Sequence, residues 1–204
     1  MDEVILARHG ESEYSAVGRV NGDPAIVCAL TDRGRDEARA FGRTLDGVPI
    51  DLCVTSEFQR TKETADVALE GRNIPRLVLA DLNDLAAGDF EGEPLGDLRT
   101  WLRRHGPIAE LPGGGEPRVA TVRRYARAFR TLLAHDERTI LVVAHGLPVT
   151  YAVRAARGLD LPLSLEGTQV GHVQPHHLTA PDLACALERL EAYADDPEAA
   201  GIPR

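Results

Sequence analysis

Two apolar runs that each end in a histidine and a glycine place the tightest constraint on how this chain folds. Val-Ile-Leu-Ala at residues 4–7 is followed by Arg-His-Gly, and Ile-Leu-Val-Val-Ala at residues 140–144 is followed by His-Gly. Unbroken apolar runs are typical of strands that are buried on both faces of a parallel sheet. We therefore predict two strands of one sheet, with polar residues just beyond their carboxyl ends, where open α/β sheets bind ligands.

The rest of the chain alternates between strand-like and helix-like patterns. Further strands are predicted at residues 50–56, 76–79 and 168–174. Helices are predicted after an N-cap at Thr31, from a capping box of Ser56 and Gln59, and at residues 95–105, 119–133, 148–157 and 182–194. This alternation predicts an α/β fold, a three-layer α/β/α sandwich whose mostly parallel sheet carries helices on both faces. We expect one domain over residues 1–194 and a disordered tail over 195–204.

Charge and cysteine usage narrow the class of protein. The formal net charge of −9 argues against nucleic acid or an anionic membrane as a partner. The N-terminal residues lack the basic region and long apolar core of a signal peptide, and no apolar run approaches membrane-spanning length. Cys28, Cys53 and Cys185 have neither a metal-ligand spacing nor a disulfide pattern. We therefore expect a cytoplasmic protein.

Four side chains with phosphate chemistry are predicted to meet at one edge of the sheet. Arg8, His9 and His145 follow parallel strands, whose carboxyl ends lie together. Arg60 joins them from the first turn of a helix, where a cation would otherwise oppose the helix dipole. Arginine forks match phosphate oxygens, and a neutral imidazole can attack phosphorus. Cations and backbone dipoles here replace a metal ion, so no metal or other cofactor is expected.

Placed in order along the chain, these residues resemble the motifs of the histidine phosphatase superfamily, in particular its phosphoglycerate mutase-like branch. Each motif is weak alone, whereas their combination in family order is specific. The similar segments are Arg8-His9-Gly10-Glu11-Ser12, Leu30-Thr31-Asp32-Arg33-Gly34, Thr55-Ser56-Glu57-Phe58-Gln59-Arg60-Thr61 with Glu63-Thr64-Ala65, the loop from Asp84 to Gly88-Asp89-Phe90-Glu91-Gly92, Gly115-Glu116, and Ala144-His145-Gly146.

The resemblance implies a role for each matching residue. His9 would be the nucleophile, transiently phosphorylated on a ring nitrogen, while Arg8, Arg60 and His145 hold the phosphoryl oxygens. Asp84 occupies the position of the general acid that protonates the leaving alkoxide. The predicted substrate-binding residues are Arg8, Ser15, Arg60, His145 and Gly146, with Glu116 as a further candidate at the mouth of the site.

Two positions depart from the family pattern. The acid is more often Glu in close branches, and Asp84 is one methylene shorter, so Glu91 or Glu116 remains an alternative for this role. At Ser15 many relatives carry Asn, and a serine hydroxyl can still donate to phosphate with a shorter reach.

The function implied is hydrolysis of a small phosphomonoester by a histidine acid-type phosphatase. One alternative is a cofactor-dependent phosphoglycerate-type phosphomutase, although mutase-type relatives carry a longer, arginine- and proline-rich insertion that this chain lacks. A second alternative, of another class, is a non-catalytic binder of phosphorylated ligands. The substrate is not predicted, and the oligomeric state, including a dimer, stays open.

The remaining polar clusters are predicted to be structural. His172, His176 and His177 lack the spacing of a metal site and are expected on the surface or in loops. The pairs Arg103-Arg104 and Arg123-Arg124 are expected on solvated helix faces.

Overall fold

A five-stranded sheet forms the centre of the protein, for which the computed structural model describes residues 1–197. Its strand order is β3-β2-β4-β1-β5. Four neighbouring strands run parallel, and β5 pairs antiparallel with β1 at one edge. The predicted, mostly parallel sheet is confirmed. The strands are β1 (Glu3–Arg8), β2 (Leu52–Thr55), β3 (Arg76–Val78), β4 (Thr139–Ala144) and β5 (His176–Thr179).

Helices cover both faces of this sheet, because successive strand side chains point to opposite faces. Ile5 and Ala7 of β1 pack with Phe41 and Ala65 on one side. Val4 and Leu6 belong to the larger core on the other side. The predicted α/β/α sandwich is thus confirmed. The helices are α1 (Glu13–Ala16), α2 (Asp32–Thr44), α3 (Gln59–Ala68), α4 (Leu95–His105), α5 (Arg118–Leu133), α6 (Gly146–Ala156) and α7 (Ala180–Asp195), with 3-10 turns at Ala80–Leu82, Gly88–Phe90 and Pro112–Gly114.

The two predicted N-caps have different outcomes. Thr31 caps α2 by accepting a hydrogen bond from the Gly34 amide at 3.0 Å, as predicted. The capping box at Ser56 is wrong, since α3 begins after Phe58 and has no side-chain cap. The Ser56 hydroxyl is instead hydrogen-bonded to His145, which directly follows β4.

The last strand lies later in the chain than predicted. Residues 168–174 form no strand but pass the carboxyl end of β1, where the Val173 amide donates to the Arg8 carbonyl at 2.8 Å. The edge strand is β5, whose Leu178 is its one buried residue. Its sequence therefore carries little of the apolar pattern that marks the inner strands.

The end of the described chain is helical for longer than predicted. Helix α7 continues through Asp195, the first residue of the predicted tail, and residues 198–204 lie outside the described part of the structure. Among the helices of residues 1–197, none is long and apolar enough to cross a membrane.

Candidate active site

A cavity of about 360 Å³ opens at the carboxyl edge of the sheet. Five of the predicted residues line it, namely Arg8, His9, Ser15, Arg60 and Asp84. His145 lies fully buried among them, 3.7 Å from an Asp84 carboxylate oxygen through its Nδ1 atom. The sheet topology therefore brings the predicted phosphate-binding residues together.

The end of β1 is held by close packing against the start of α2. A Cβ atom on Gly10 would lie 2.6 Å from the Gly34 carbonyl oxygen, and one on Gly34 would lie 2.0 Å from the Glu11 carbonyl oxygen. Only glycine fits at such an approach. The Gly10 amide also donates to the Thr64 hydroxyl of α3 at 3.0 Å. These contacts fix the backbone that carries His9.

The His9 ring is buried and oriented through both of its nitrogens. Nδ1 lies 2.7 Å from the Gly10 carbonyl oxygen, which can only accept, so Nδ1 carries the proton. Nε2 accepts from the Arg60 Nε–H at 3.1 Å. Burial, followed by the charges of Arg60 and Arg8, holds the pKa of His9 well below its usual value. The ring is therefore neutral, with a lone pair on Nε2.

Arg60 connects the two histidines. Its Nη2 donates to His145 Nδ1 at 3.0 Å and to the Asn21 carbonyl oxygen at 3.1 Å, and its Nη1 donates to the Asn21 side chain. The guanidinium lies over the Phe58 ring, 4.1 Å from the centroid. Burial lowers the pKa of Arg60, an effect that the Asp84 carboxylate opposes. Asn21 is a site residue that the sequence patterns did not reveal.

His145 is oriented by a chain of hydroxyl groups. Because Nδ1 accepts from Arg60, the proton of the neutral ring is on Nε2, which lies 2.8 Å from the Ser56 hydroxyl. The Ser56 hydroxyl can then donate to Thr61 Oγ1 at 2.9 Å, and Thr61 donates to the Phe58 carbonyl at 2.8 Å. Burial, then Arg60, holds the pKa of His145 well below its usual value.

Arg8 reaches the cavity from the end of β1. Its Nη1 donates to the Val170 carbonyl at 3.4 Å, and its buried Nε has no protein partner within the described chain. Burial lowers the pKa of Arg8 to about 10, partly offset by Asp84. The guanidinium stays charged at neutral pH, so it can bind an oxyanion.

Asp84 lies beside Arg60 and His145, and 32% of its side chain is exposed. Its Oδ2 lies 3.6 Å from Arg60 Nη2, and its Oδ1 accepts from the Leu85 amide at 3.0 Å. The carboxylate therefore lines the same cavity as His9, whose Nε2 lone pair accepts from Arg60.

Ser15 lines the cavity from the first turn of α1, whereas Gly146 begins α6 and is not among the lining residues. The Ser15 hydroxyl accepts from the Ser12 amide at 2.7 Å in the capping box of α1 and donates to the Ser12 carbonyl at 2.9 Å, so it would have to change partner to donate to a ligand. Gly146 is the first residue of α6, after the N-cap His145, where amides lack intrahelical acceptors.

Glu116, predicted as a further substrate contact, is not among the residues that line the cavity. Its carboxylate pairs with Arg124 and accepts from the Ala86 amide at 3.1 Å. Glu91, the other alternative acid, accepts from the Gly22 amide at 2.7 Å and does not line the cavity. Of the three acids considered, Asp84 alone lines the cavity with His9.

Several charged or titratable residues that line the cavity were not predicted, and three of them are Arg99, Arg118 and His172. Arg99 and Arg118 line it from α4 and α5. His172, expected to be structural, does lie in a loop, but its ring centroid is 5.7 Å from that of His9. Burial, then Arg8, lowers the pKa of His172 to about 4. Among residues 1–197, no three histidine, cysteine or carboxylate side chains are grouped to hold a metal ion.

The comparisons with known proteins agree with this geometry. The chain is 31% identical over 149 residues to an adenosylcobalamin/α-ribazole phosphatase of Salmonella typhimurium, covering 69% of this chain and 72% of the relative. It is 33% identical over 174 residues to a 2,3-bisphosphoglycerate-dependent phosphoglycerate mutase of Methylobacterium, covering 76% and 81%. The crystal structure of an α-ribazole phosphatase from Shigella flexneri superposes with a TM-score of 0.75 at 25% identity, over 86% of this chain and 89% of that one.

The family comparison covers a larger part of the sequence than these pairwise matches. The profile of the histidine phosphatase superfamily (branch 1) matches residues 4–182, which include both histidines, both arginines and Asp84. Since that span is most of the 204-residue chain, the protein belongs to the histidine phosphatase superfamily.

Proposed function

We propose that this protein hydrolyses a small phosphomonoester, with Nε2 of His9 as the nucleophile. The observation that carries the proposal is the hydrogen bonding of the His9 ring, which leaves the Nε2 lone pair facing Arg60. A neutral imidazole with a fixed tautomer can attack phosphorus without first losing a proton. The surrounding arginines compensate the charge of the phosphoryl group.

In the first half-reaction, His9 Nε2 forms a bond to phosphorus as the bond from phosphorus to the leaving oxygen breaks. Asp84 gives its proton to that oxygen, because an alkoxide leaves poorly without one. Arg8 and Arg60 hold the phosphoryl oxygens. The dianion also favours a proton on His145 Nδ1, which would then donate to it while Nε2 stays bonded to Ser56.

In the second half-reaction, water attacks the phosphohistidine. The Asp84 carboxylate accepts a proton from the water, the nitrogen–phosphorus bond breaks, and neutral His9 and inorganic phosphate are formed. Asp84 thereby regains its proton for the next cycle. Because the cycle needs Asp84 protonated at its start, we propose the acid-type subclass for this phosphatase.

Trapping the covalent intermediate tests this function. The purified protein is mixed with a radiolabelled phosphomonoester, quenched in alkali, and assayed for a label that survives base and is lost in acid. Wild-type protein should be labelled and release phosphate, and His9→Ala should do neither. A wild-type protein that is never labelled and does not hydrolyse 4-nitrophenyl phosphate would instead be a phospho-ligand binder.

The role of Asp84 is tested by varying the leaving group. Asp84→Asn should lower kcat/KM for alkyl phosphates by about 10²–10⁴-fold, the usual contribution of a general acid. For 4-nitrophenyl phosphate the loss should be much smaller, because nitrophenolate leaves without a proton. Equal losses for both substrates would assign the acid to another residue.

A phosphomutase would use the same phosphohistidine and return the phosphoryl group to the substrate, and the Methylobacterium relative carries a mutase name. The two activities differ in product. With phosphoglycerates, a hydrolase releases inorganic phosphate, whereas a mutase interconverts the isomers and releases little. We propose hydrolysis, because this chain lacks the mutase-type insertion between the Asp84 loop and His145.

The proposed setting is the cytoplasm, with a free phosphometabolite as the partner. Cys28, Cys53 and Cys185 are free thiols, as is usual in a reducing compartment. The net charge of −9 disfavours a nucleic-acid substrate.

A further inference from the structure

The cavity holds more positive charge than a phosphoryl group needs. Five arginines line it, whereas Asp84 is the one carboxylate among its described lining residues. Two of these arginines, Arg8 and Arg60, lie beside His9 and are assigned to the phosphoryl oxygens. In a protein of net charge −9, the others form a local concentration of cations that calls for a second anion.

Among the cavity arginines other than Arg8 and Arg60, Arg118 is the one whose burial is least favourable in free energy. It is 5% exposed, and within residues 1–197 its Nε has no hydrogen-bond partner and no carboxylate lies within ion-pair distance of it. Its Nη2 donates to the Leu163 carbonyl at 3.3 Å, and its guanidinium carbon lies 6.0 Å from the Tyr151 ring centroid. As the first residue of α5 it also opposes the helix dipole. A buried charge without a counter-ion is unfavourable unless a ligand supplies one.

Arg99 lies nearby on α4 and is half-buried. Within residues 1–197 it makes no ion pair or side-chain hydrogen bond, and its charge contributes to the lowered pKa of Arg8. The Val119 amide donates to the Pro107 carbonyl at 3.1 Å, which joins the start of α5 to the segment that follows α4. Arg99 and Arg118 therefore face one cavity from two helices that are joined at this point.

The wall around these cations is apolar. Leu98 and Leu102 of α4, together with Leu147, Leu163 and Leu165, line the same cavity. An apolar wall penalises a dianion more than a monoanion, because each charge must give up its water. A planar carboxylate also matches the fork of a guanidinium.

We propose that Arg118 and Arg99 bind a carboxylate of the substrate, so that the enzyme acts on phosphorylated carboxylic acids. The inference rests on the proposed phosphatase activity at His9. It assigns Arg118 and Arg99 to substrate selection and leaves the phosphoryl transfer itself to the residues beside His9.

The test compares substrates that differ in one charge. The probes are ω-phosphonooxy alkanoic acids with chains of two to six carbons, and the matched primary amides. For at least one chain length, wild-type kcat/KM should be tenfold or more higher for the acid than for the amide, the range of a charge-assisted hydrogen bond. In Arg118→Gln and in Arg99→Gln this acid-to-amide ratio should fall towards one.

Matched variants separate binding from folding. Arg104→Gln removes an exposed arginine of the same helix as Arg99 and should keep the wild-type ratio. Arg118→Lys keeps the charge and loses the fork, and should retain part of the preference. If Arg118→Gln fails to fold, the less buried Arg99→Gln still decides the outcome.

Three results would overturn the proposal. The first is a wild-type enzyme without preference for the acid at any chain length. The second is an unchanged ratio in both glutamine variants, even where turnover falls, which would mean that these arginines are structural. The third is an arginine-dependent preference for α,ω-bisphosphates over the acids, which would replace the carboxylate by a second phosphate. Labelling of His9 and turnover of 4-nitrophenyl phosphate, measured in the same wild-type preparation, show separately whether the phosphatase function stands.

Discussion

The hydroxyl of Ser56 shows how one polar atom can set the protonation of a catalytic candidate. It lies 2.8 Å from His145 Nε2, while Arg60 donates to the other ring nitrogen. Both contacts favour a proton on Nε2, and the same hydroxyl still accepts that proton's hydrogen bond when the ring becomes an imidazolium. Ser56 therefore acts through His145, as a positioning residue.

Replacing Ser56 with alanine should disturb this arrangement without touching the substrate. The buried Nε2–H loses its acceptor, which should lower the free energy of unfolding by about 1–3 kcal/mol. Protonation of His145 to an imidazolium should also become less favourable, so we expect kcat/KM to fall about tenfold. Nitrogen chemical shifts of the imidazole rings should show a changed His145 tautomer. Thr61→Val, which removes the next hydroxyl of the chain, should have a smaller effect, and an unchanged His145 spectrum in Ser56→Ala would contradict this role.

The same residue marks a limit of sequence patterns. Ser56 and Gln59 have the spacing of a capping box, but α3 begins at Gln59, and the serine bonds to a side chain 89 positions away. A local pattern cannot reveal a partner that only the folded sheet brings close. By contrast, the His9 ring pairs with the carbonyl of the adjacent Gly10, a contact that needs no long-range partner.

At the level of elements, the loop between β3 and α4 is held in place by α5. Arg124 donates to the carbonyls of Asp81, Asn83 and Asp84 at 3.0, 2.7 and 3.1 Å, and pairs with Glu116. Glu116 in turn accepts from the Ala86 amide at 3.1 Å. Arg124, predicted on a solvated face, thus orders the backbone that carries Asp84, whereas its neighbour Arg123 is exposed as predicted.

Replacing Arg124 should impair proton donation by Asp84, although less than replacing Asp84 itself. Arg124→Ala releases three carbonyls and leaves Glu116 unpaired, so Asp84 should lose its position. We expect kcat/KM for an alkyl phosphate to fall at least tenfold, and by less for 4-nitrophenyl phosphate. Arg127→Ala is the matched control, since Arg127 lies on the same helix and its side chain, among residues 1–197, bonds to the Asp81 carboxylate alone, at 2.8 Å. Similar losses in both variants would show that the effect does not pass through Asp84.

A strand can be predicted from sequence when its own apolar residues stabilise it, and not when backbone pairing with another strand does. β1 and β4 are inner strands with apolar runs of four and five residues, so their sequence pattern is strong. β5 is an edge strand defined by backbone pairing with β1, and its sequence, His-His-Leu-Thr, carries no such pattern. Arg118 begins a helix, where a cation opposes the helix dipole, but it was missed because its burial depends on Leu163 and Tyr151, which lie far along the chain.

For the molecule as a whole, the cavity combines cations with histidines that are kept neutral. The pKa values of His9 and His145 lie well below the usual value, and that of His172 is lowered to about 4, in each case chiefly by burial. In the unfolded chain these rings bind protons near pH 6.5. Below that pH the unfolded state therefore binds more protons than the folded state, and the free energy of unfolding must fall as the pH falls.

His172 allows this linkage to be measured on its own. Between about pH 6.5 and pH 4, His172 should lower the free energy of unfolding by up to about 1.4 kcal/mol per pH unit. This decrease stops at the pH at which the ring is protonated in the folded state as well. Urea unfolding of wild-type protein and His172→Gln at pH 7.5, 6.5, 5.5 and 4.5 should give stability curves that diverge only below pH 6.5, with the variant falling less steeply. The exposed His105, replaced by glutamine, controls for general loss of a histidine. Parallel curves for wild type and His172→Gln would mean that the His172 ring is solvated and titrates equally in both states.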